Sequence, residues 1–391
     1  MFKHLLKIMW NKRRVNALLF LEILLAFFIL FAVFTFVTFS FDRYASPLGF
    51  AYEDALLVGV DLPDDLDSLG TLDLQERLMT ELEAIPGVEA ASFIGYVPPF
   101  SSNTWQNANN DNGFEISFKL FFADERMADV AELELSRGRW FSEEDKTAKY
   151  PPVVVNQAFL DAYYPDGEMV DSLINIWELS RIVGVVKHFK YYSNFAEQEP
   201  LVFLSQRNRE LPGDAFQAIW LRTTPGEKMT IQETIYRTAV DLTKNTEVQV
   251  ADLVEMRKGA NRPTLIPLII VTLISSFLLI NIGLGLFGVL FTQINRRRAE
   301  IGLRKAMGAT PGEITLQFIL EVTLVTGAAL LIGTFFAIQV PLLELLPLPG
   351  SYFYLGILAA AVTILLVILI CAWVPSRSAA VLQPAVVLHE D

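Results

Sequence analysis

Hydrophobic positions along the 391-residue chain fall into two regimes. Unbroken apolar runs cover 17–40, 265–291, 314–340 and 352–374, while the residues between the first two runs alternate or repeat with helical spacing. A bilayer core takes about 20 apolar residues of helix. Only Glu22 and Glu321 place a formal charge inside the four runs. The pattern predicts an α-helical membrane protein with four transmembrane helices, over 17–40, 264–292, 312–340 and 352–374. The first run is longer than the roughly 7–15 apolar residues of a secretory signal and has no small-x-small cleavage site, so it reads as a retained anchor.

Residues 41–262 read as a large α+β extracytoplasmic domain inserted between helices 1 and 2. ALLVGVDL (55–62) has strand character, 72–85 has helical spacing that stops at Pro86-Gly87, and VEAASFIGYV (88–97) returns as a strand. The order recurs in FQAIWLRTT (216–224), a helix over 229–242 and VQVADL (248–253). Two βαβ-like units, about 50–100 and 214–255, thus flank an inserted subdomain at about 110–200. Within the middle, SSNTWQNANNDNG (101–113) reads as a polar loop.

Charge adds orientation. Residues 41–260 hold 19 Lys/Arg against 37 Asp/Glu, and the rest of the chain holds 12 against 7, within an overall net charge of −13. The cations outside the large domain cluster in short flanks: Lys3, Lys7, Lys12, Arg13 and Arg14 before the first span, and Arg296, Arg297, Arg298, Arg304 and Lys305 after the second. Short basic flanks stay in the cytoplasm, whereas a long loop crosses largely regardless of its charge. Both termini, the segment 293–311 and the tail 375–391 are therefore expected inside the inner (plasma) membrane, and the acidic domain outside. Phe2, Leu5, Leu6, Met9 and Trp10 share one helical stripe, which suits a cytoplasmic interfacial helix over 1–16 in contact with membrane lipid. No nucleic-acid partner is expected.

Catalytic chemistry is hard to place. His4, His188 and His389 are far apart, and no HExxH, Cys/His metal spacing or GxSxG occurs. His188 reads as a surface residue at a strand end, and PDDLD (63–67) and SEED (142–145) as solvated loop charges. Gly283, Gly285 and Gly288 match GxGxxG formally, but they lie inside a span, where helical hydrogen bonds already occupy the backbone groups a pyrophosphate would need. They read as helix-packing glycines. The sequence has no GxxxxGK[ST], so no catalytic, metal or cofactor-binding residue is assigned, and the single Cys371 reads as apolar filler. Of the intramembrane acids, Glu22 is expected to be ionised near the inner interface, within reach of polar groups near Arg13 or Arg296. Glu321 is expected to face other helices.

The segment RRRAEIGLRKAMGATPGEI (296–314) is charged yet wedged between spans. Ala299, Leu303, Ala306 and Met307 share one helical face, and Arg296–Glu300 and Glu300–Arg304 are i,i+4 pairs. Gly308 offers a stop. Thr310, Pro311 and Glu313 spell an N-cap, a proline at N1 and a capping box. Gly302 costs such a helix ~1 kcal/mol relative to alanine, which suggests a close approach by another chain.

RRAEIGLRKAMGAT resembles the segment after the second span of MacB/FtsX-type ABC permeases. SRGRWFSEED, VVVNQAFLDAYYP and RIVGVVKHFKYYS resemble the outer-domain signatures of MacB-like members. The tail QPAVVLHED departs from the family ending at Gln383 and His389. The resemblance implies a permease subunit of an ABC complex that works by mechanotransmission. ATP would be used by a separate ATPase subunit, two permease chains would form a homo- or heterodimer, and a periplasmic adaptor is a further partner. Glu300, Ile301, Gly302, Leu303, Arg304, Lys305, Met307 and Gly308 would form the coupling surface. Ile301, Leu303 and Met307 would fill a groove on the ATPase, with Glu300, Arg304 and Lys305 in rim pairs. Two alternatives remain: an FtsX-like regulator of a cell-wall hydrolase, and a membrane sensor.

Overall fold

The computed structural model describes residues 13–381 except 61–67, 96, 102–104, 112–113, 165–169, 177, 206–215 and 246. The expected interfacial stripe at 1–12, PDDLD, and the tail residues Gln383 and His389 lie outside the described residues. The chain divides into two compact units, Arg43–Thr264 and a second made of Met1–Asp42 with Leu265–Asp391.

Helix α1 (Arg13–Ala45) ends within the outer unit, which continues through β1 (Ala55–Gly59), α2 (Ser68–Glu83), β2 (Val88–Gly95), β3 (Trp105–Asp111) and β4 (Phe114–Ala123). Next come α3 (Met127–Val130), β5 (Leu135–Gly138), β6 (Pro152–Asn156), α4 (Gln157–Tyr163), β7 (Leu173–Asn175), β8 (Leu179–Val186) and β9 (Leu201–Ser205). The unit closes with β10 (Phe216–Thr223), α5 (Lys228–Thr243) and β11 (Gln249–Asp252). One sheet runs in the order β11-β1-β10-β2-β4-β9-β6-β8-β5, with β3 added to β4 and β7 to β8.

The two βαβ-like units are interleaved rather than side by side. Strand β10 lies between β1 and β2, and β1 lies between β10 and β11, all antiparallel. A helix about 10 Å wide spans two strand spacings of about 4.8 Å, so each crossover leaves a gap of one strand. The other unit fills it, giving a split βαβ arrangement. Side chains then alternate between two cores. Leu56, Val58, Ile219 and Leu221 face α2 and α5, whereas Ala55, Leu57, Ala218 and Trp220 face an aromatic core with Phe50, Phe100, Phe121, Trp140, Phe189 and Phe203.

The middle segment continues the same sheet. Strands β4 and β9 pair in parallel, as do β6 and β8, and α4 covers Val153, Val155 and Ile182 through Phe159 and Leu160. Among the described residues, the two halves of the sheet meet between β2 and β4 at the bridged pair of Ile94 with Ala123. The side chain of Asp124 reinforces this seam. It accepts from the Ser92 hydroxyl at 2.6 Å, the Phe93 amide at 2.9 Å and the Arg126 amide at 2.9 Å. Burial pushes its carboxyl above the usual carboxylate range despite those donors.

Two expectations are corrected in this unit. Most of the polar loop at 101–113 is strand β3, whose backbone pairs with β4 from Trp105–Leu120 to Asp111–Phe114. Within SEED, Asp145 is buried and receives both Arg139 Nη atoms at 2.6 Å and the Ser142 amide at 2.9 Å. That pairing holds its carboxyl below the usual range.

Helix α6 (Leu253–Arg296) begins eleven residues before the expected 264, carrying the polar turns LVEMRKGANRP as continuous helix. It is followed by α7 (Arg298–Ala306), α8 (Pro311–Leu342) and α9 (Gly350–Val381), which runs through Pro375 beyond the expected end at 374. Among the described residues, four helices are long and apolar enough to cross a membrane: Ala17–Ala45, Leu253–Arg296, Pro311–Leu342 and Gly350–Arg377. In the membrane unit, Ile23, Phe27 and Phe31 of α1 pack with Leu286 and Leu290 of α6, Val322 and Ala329 of α8, and Phe353 and Ile364 of α9. Helices α1 and α9 approach closely at Gly356, where a Cβ would fall 2.2 Å from Thr35 Oγ1.

Candidate functional site

The segment between α6 and α8 is short, but both of its ends are fixed. Arg297 breaks the helix at φ −110°, and α7 follows for nine residues. At the other end Gly308 takes φ +98°. Its amide donates to Lys305 O and that of Ala309 to Arg304 O, each at 3.0 Å. These are the two bonds of a Schellman stop, and the left-handed residue they need explains glycine here. Thr310 then caps α8. Its Oγ1 accepts from the Glu313 amide, and its own amide donates to Glu313 Oε2 at 2.9 Å.

Ile301 is 4% exposed and packs with Ile294, Ile314 and Phe318, so its side chain joins the ends of α6, α7 and α8. Gly302 is buried beside it. Here the structure corrects the sequence reading: Ile301 is not free to enter a groove on another chain, and Gly302, buried as well, offers no open surface for a close approach. The opposite face carries Ala299, Leu303, Ala306 and Met307, all exposed, with Leu303 at 54% and Met307 at 72%.

Polar side chains close a ring around the buried face. Arg297 Nη1 donates to both carboxylate oxygens of Glu321, at 3.0 and 3.2 Å. Gln317 Nε2 donates to Glu321 at 3.1 Å, and Gln317 Oε1 accepts from Arg304 Nη1 at 2.5 Å. Arg304 Nη2 donates to Glu300 at 2.5 Å, and Glu300 lies 4.0 Å from Arg297 Nε. Glu300 and Arg304 are thus engaged with one another within the chain. Burying a carboxylate is costly unless it is paired and hydrogen-bonded; Glu321 is both. Arg297 and Gln317 escaped the sequence reading, although Gln317 and Glu321 are one turn apart on α8. Lys305 lies in the last turn of α7.

The other singled-out residues sit elsewhere. Glu22 lies beside Gly285, with Oε1 3.4 Å from where a Cβ would be, and Gly283 faces Cys371 in the same way. These two glycines of the formal GxGxxG therefore serve close side-chain contacts within a span. His188 Nδ1 lies 2.9 Å from Gln198 Nε2. Among the described residues, no three His, Cys, Asp or Glu side chains are grouped to hold a metal ion.

Residues 18–237 match the family model described as the MacB-like periplasmic core domain, and residues 270–384 match that of the FtsX-like permease C-terminal. The chain belongs to the MacB-like ABC transporter permeases. Among similar proteins is the ABC transporter permease YvrN of Bacillus subtilis, 24% identical over 289 residues, covering 70% of each chain. Another is the macrolide export ATP-binding/permease protein MacB of Neisseria meningitidis, 25% identical over 267 residues, covering 62% of this chain and 38% of that protein. The periplasmic region of MacB from Actinobacillus actinomycetemcomitans aligns with TM-score 0.40 and 10% identity, over 53% of this chain and 92% of that one. As a MacB-like permease, the chain is an integral membrane protein with a mixed α/β domain between its first and second spans.

Proposed function

We propose that this MacB-like chain is the permease subunit of an export complex in the inner membrane. A separate ABC ATPase docks on α7, two permease chains pair, and nucleotide-driven movement is passed to the outer domain as mechanotransmission. Both termini and α7 lie on the cytoplasmic side, as the basic flanks argue. The carrying observation is the exposed stripe Ala299, Leu303, Ala306 and Met307 on a helix stopped by Gly308 and tied to α8 through Arg297–Glu321. Such a helix presents apolar side chains to a partner without yielding when that partner moves. A flexible loop would absorb the displacement instead.

The relatives whose printed names include macrolide export favour efflux of a drug or similar substrate, with a periplasmic adaptor as a further partner. The test is copurification of the ATPase from native membranes with wild type, Leu303→Asp and Met307→Asp. Both variants alter only exposed side chains, so each should insert normally and lose the ATPase. Undiminished ATPase binding by both would show that α7 is a topology anchor alone.

A further inference from the structure

Lys190 is 2% exposed, yet it carries an ammonium that sits among backbone carbonyls. Its Nζ donates to Arg43 O at 2.5 Å, Asn194 O at 3.0 Å and Ser46 O at 3.4 Å. The first and last of those acceptors belong to the final turn of α1 and the residue after it, where helix carbonyls lack internal partners and a cation is favoured. Asn194 in turn forms a reciprocal pair with Asn261 of α6. Its amide donates to Asn261 Oδ1 at 3.0 Å, and Asn261 Nδ2 donates back to Asn194 Oδ1 at 2.9 Å. Asn261 is 4% exposed, so this pair is also shielded from water.

All these groups lie within Arg43–Thr264, the outer unit. The backbone is shaped to fit them together. Lys190 N donates to Leu48 O at 2.8 Å, and Gly49 takes φ +89° where a Cβ would fall 1.9 Å from the His188 carbonyl oxygen. Segment 187–194 is thereby held against 46–50 on one side and the start of α6 on the other.

We propose that Lys190, Asn194 and Asn261 form a positioning joint. It fixes the last turn of α1 and the first turns of α6 to one another inside the outer unit, so that displacement of either helix reaches the sheet as one movement. Residues 253 and 252 make α6 continuous with β11, and β11 pairs with β1, so the path from the joint into the sheet is short. The joint rests on the mechanotransmission reading above.

The test uses the full chain together with the ATPase that copurifies from native membranes. Amide hydrogen exchange is read over 43–50, β1, β11 and 253–264, with and without a non-hydrolysable ATP analogue. In wild type the analogue changes exchange in β1 and β11. In Lys190→Met, local opening at 43–50 rises at least about tenfold, the effect of losing a single charge-assisted hydrogen bond, since Lys190 reaches both Arg43 O and Ser46 O there. That variant keeps the ATPase and its basal hydrolysis but loses the nucleotide response of β1 and β11, and Lys190→Arg restores it. A nucleotide response of wild-type size in Lys190→Met would overturn the joint while leaving the export reading standing. No response in wild type would overturn the export reading and the joint with it. Should Lys190→Met fail to accumulate, Asn261→Ser breaks only the second link and is read by the same outcomes.

Discussion

Replacing Asp124 by alanine tests the seam between the halves of the outer sheet. Among the described residues β2 and β4 bridge at Ile94 and Ala123, and the Asp124 carboxylate adds side-chain hydrogen bonds across the same seam. In Asp124→Ala the Ser92 hydroxyl and the Phe93 amide, both in buried residues, lose their short bonds, whereas the Arg126 amide lies next to a half-buried turn. Leaving a buried donor unsatisfied costs about 1–3 kcal/mol, so two give about 2–6 kcal/mol, with about 4 kcal/mol as the central value. Asp124→Asn keeps one carbonyl acceptor and should lose less. Urea denaturation of the detergent-solubilised chain, followed by tryptophan fluorescence, reports on the seam because Trp140 Nε1 donates to Asp124 O. The pH dependence has a definite sign. A carboxyl raised in the folded state favours folding at low pH, and that contribution is lost as pH rises through the folded value. Wild type should therefore lose more stability than Asp124→Asn across that window. An Asp124→Ala midpoint equal to wild type would refute the seam argument.

Removing one partner of the Arg297–Glu321 pair should cost about 3–5 kcal/mol, and removing both should cost less than the two single changes together; thermal unfolding of Arg297→Ala, Glu321→Ala and the double variant measures this. For Gly356→Ile, the Cβ clash with Thr35 should lower the thermal midpoint in detergent, while Gly327→Ala, at a helical position with open space, should do far less. The Arg139–Asp145 pair stabilises above the ordinary aspartate range and is lost as pH falls through the depressed folded value. Acid unfolding of Asp145→Asn should accordingly show a weaker pH dependence than wild type. Single cysteines at Asn109 and Thr310 should respectively react and fail to react with an impermeant thiol reagent in intact cells, and the reverse pattern would invert the topology.

Local signals were readable in the sequence. Each of the four apolar runs lies within a long helix, and the Gly308 stop and the Thr310–Glu313 capping box mark where α7 ends and α8 begins. Long-range pairings were not readable. Strand β3 has a polar composition, and its backbone bonds come from β4, so periodicity could not reveal it. The interleaving of β1, β10, β2 and β11 joins residues more than 120 positions apart. At α7 the sequence reading grouped Ile301 with Leu303 and Met307, and the pattern alone could not show that Ile301 faces inward. That depends on Ile294, Ile314 and Phe318, contributed by two other helices. The polar ring was hidden for the same reason, since Arg297 and Glu321 are 24 positions apart.

The pairing of β1 with β11 sets Leu56 opposite Asp252, so the first and last strands of the outer unit lie side by side. Neighbouring strands are about 4.8 Å apart. The chain therefore leaves for almost two hundred residues and comes back to its starting point, as an insertion in a loop does. Closure entropy grows only slowly with the length of such an excursion, and domain insertions succeed where chain ends meet at a surface. The outer unit thus has the form of a cassette. Its contents can lengthen, shrink or be exchanged over evolutionary time while the gap between its two ends stays one strand wide.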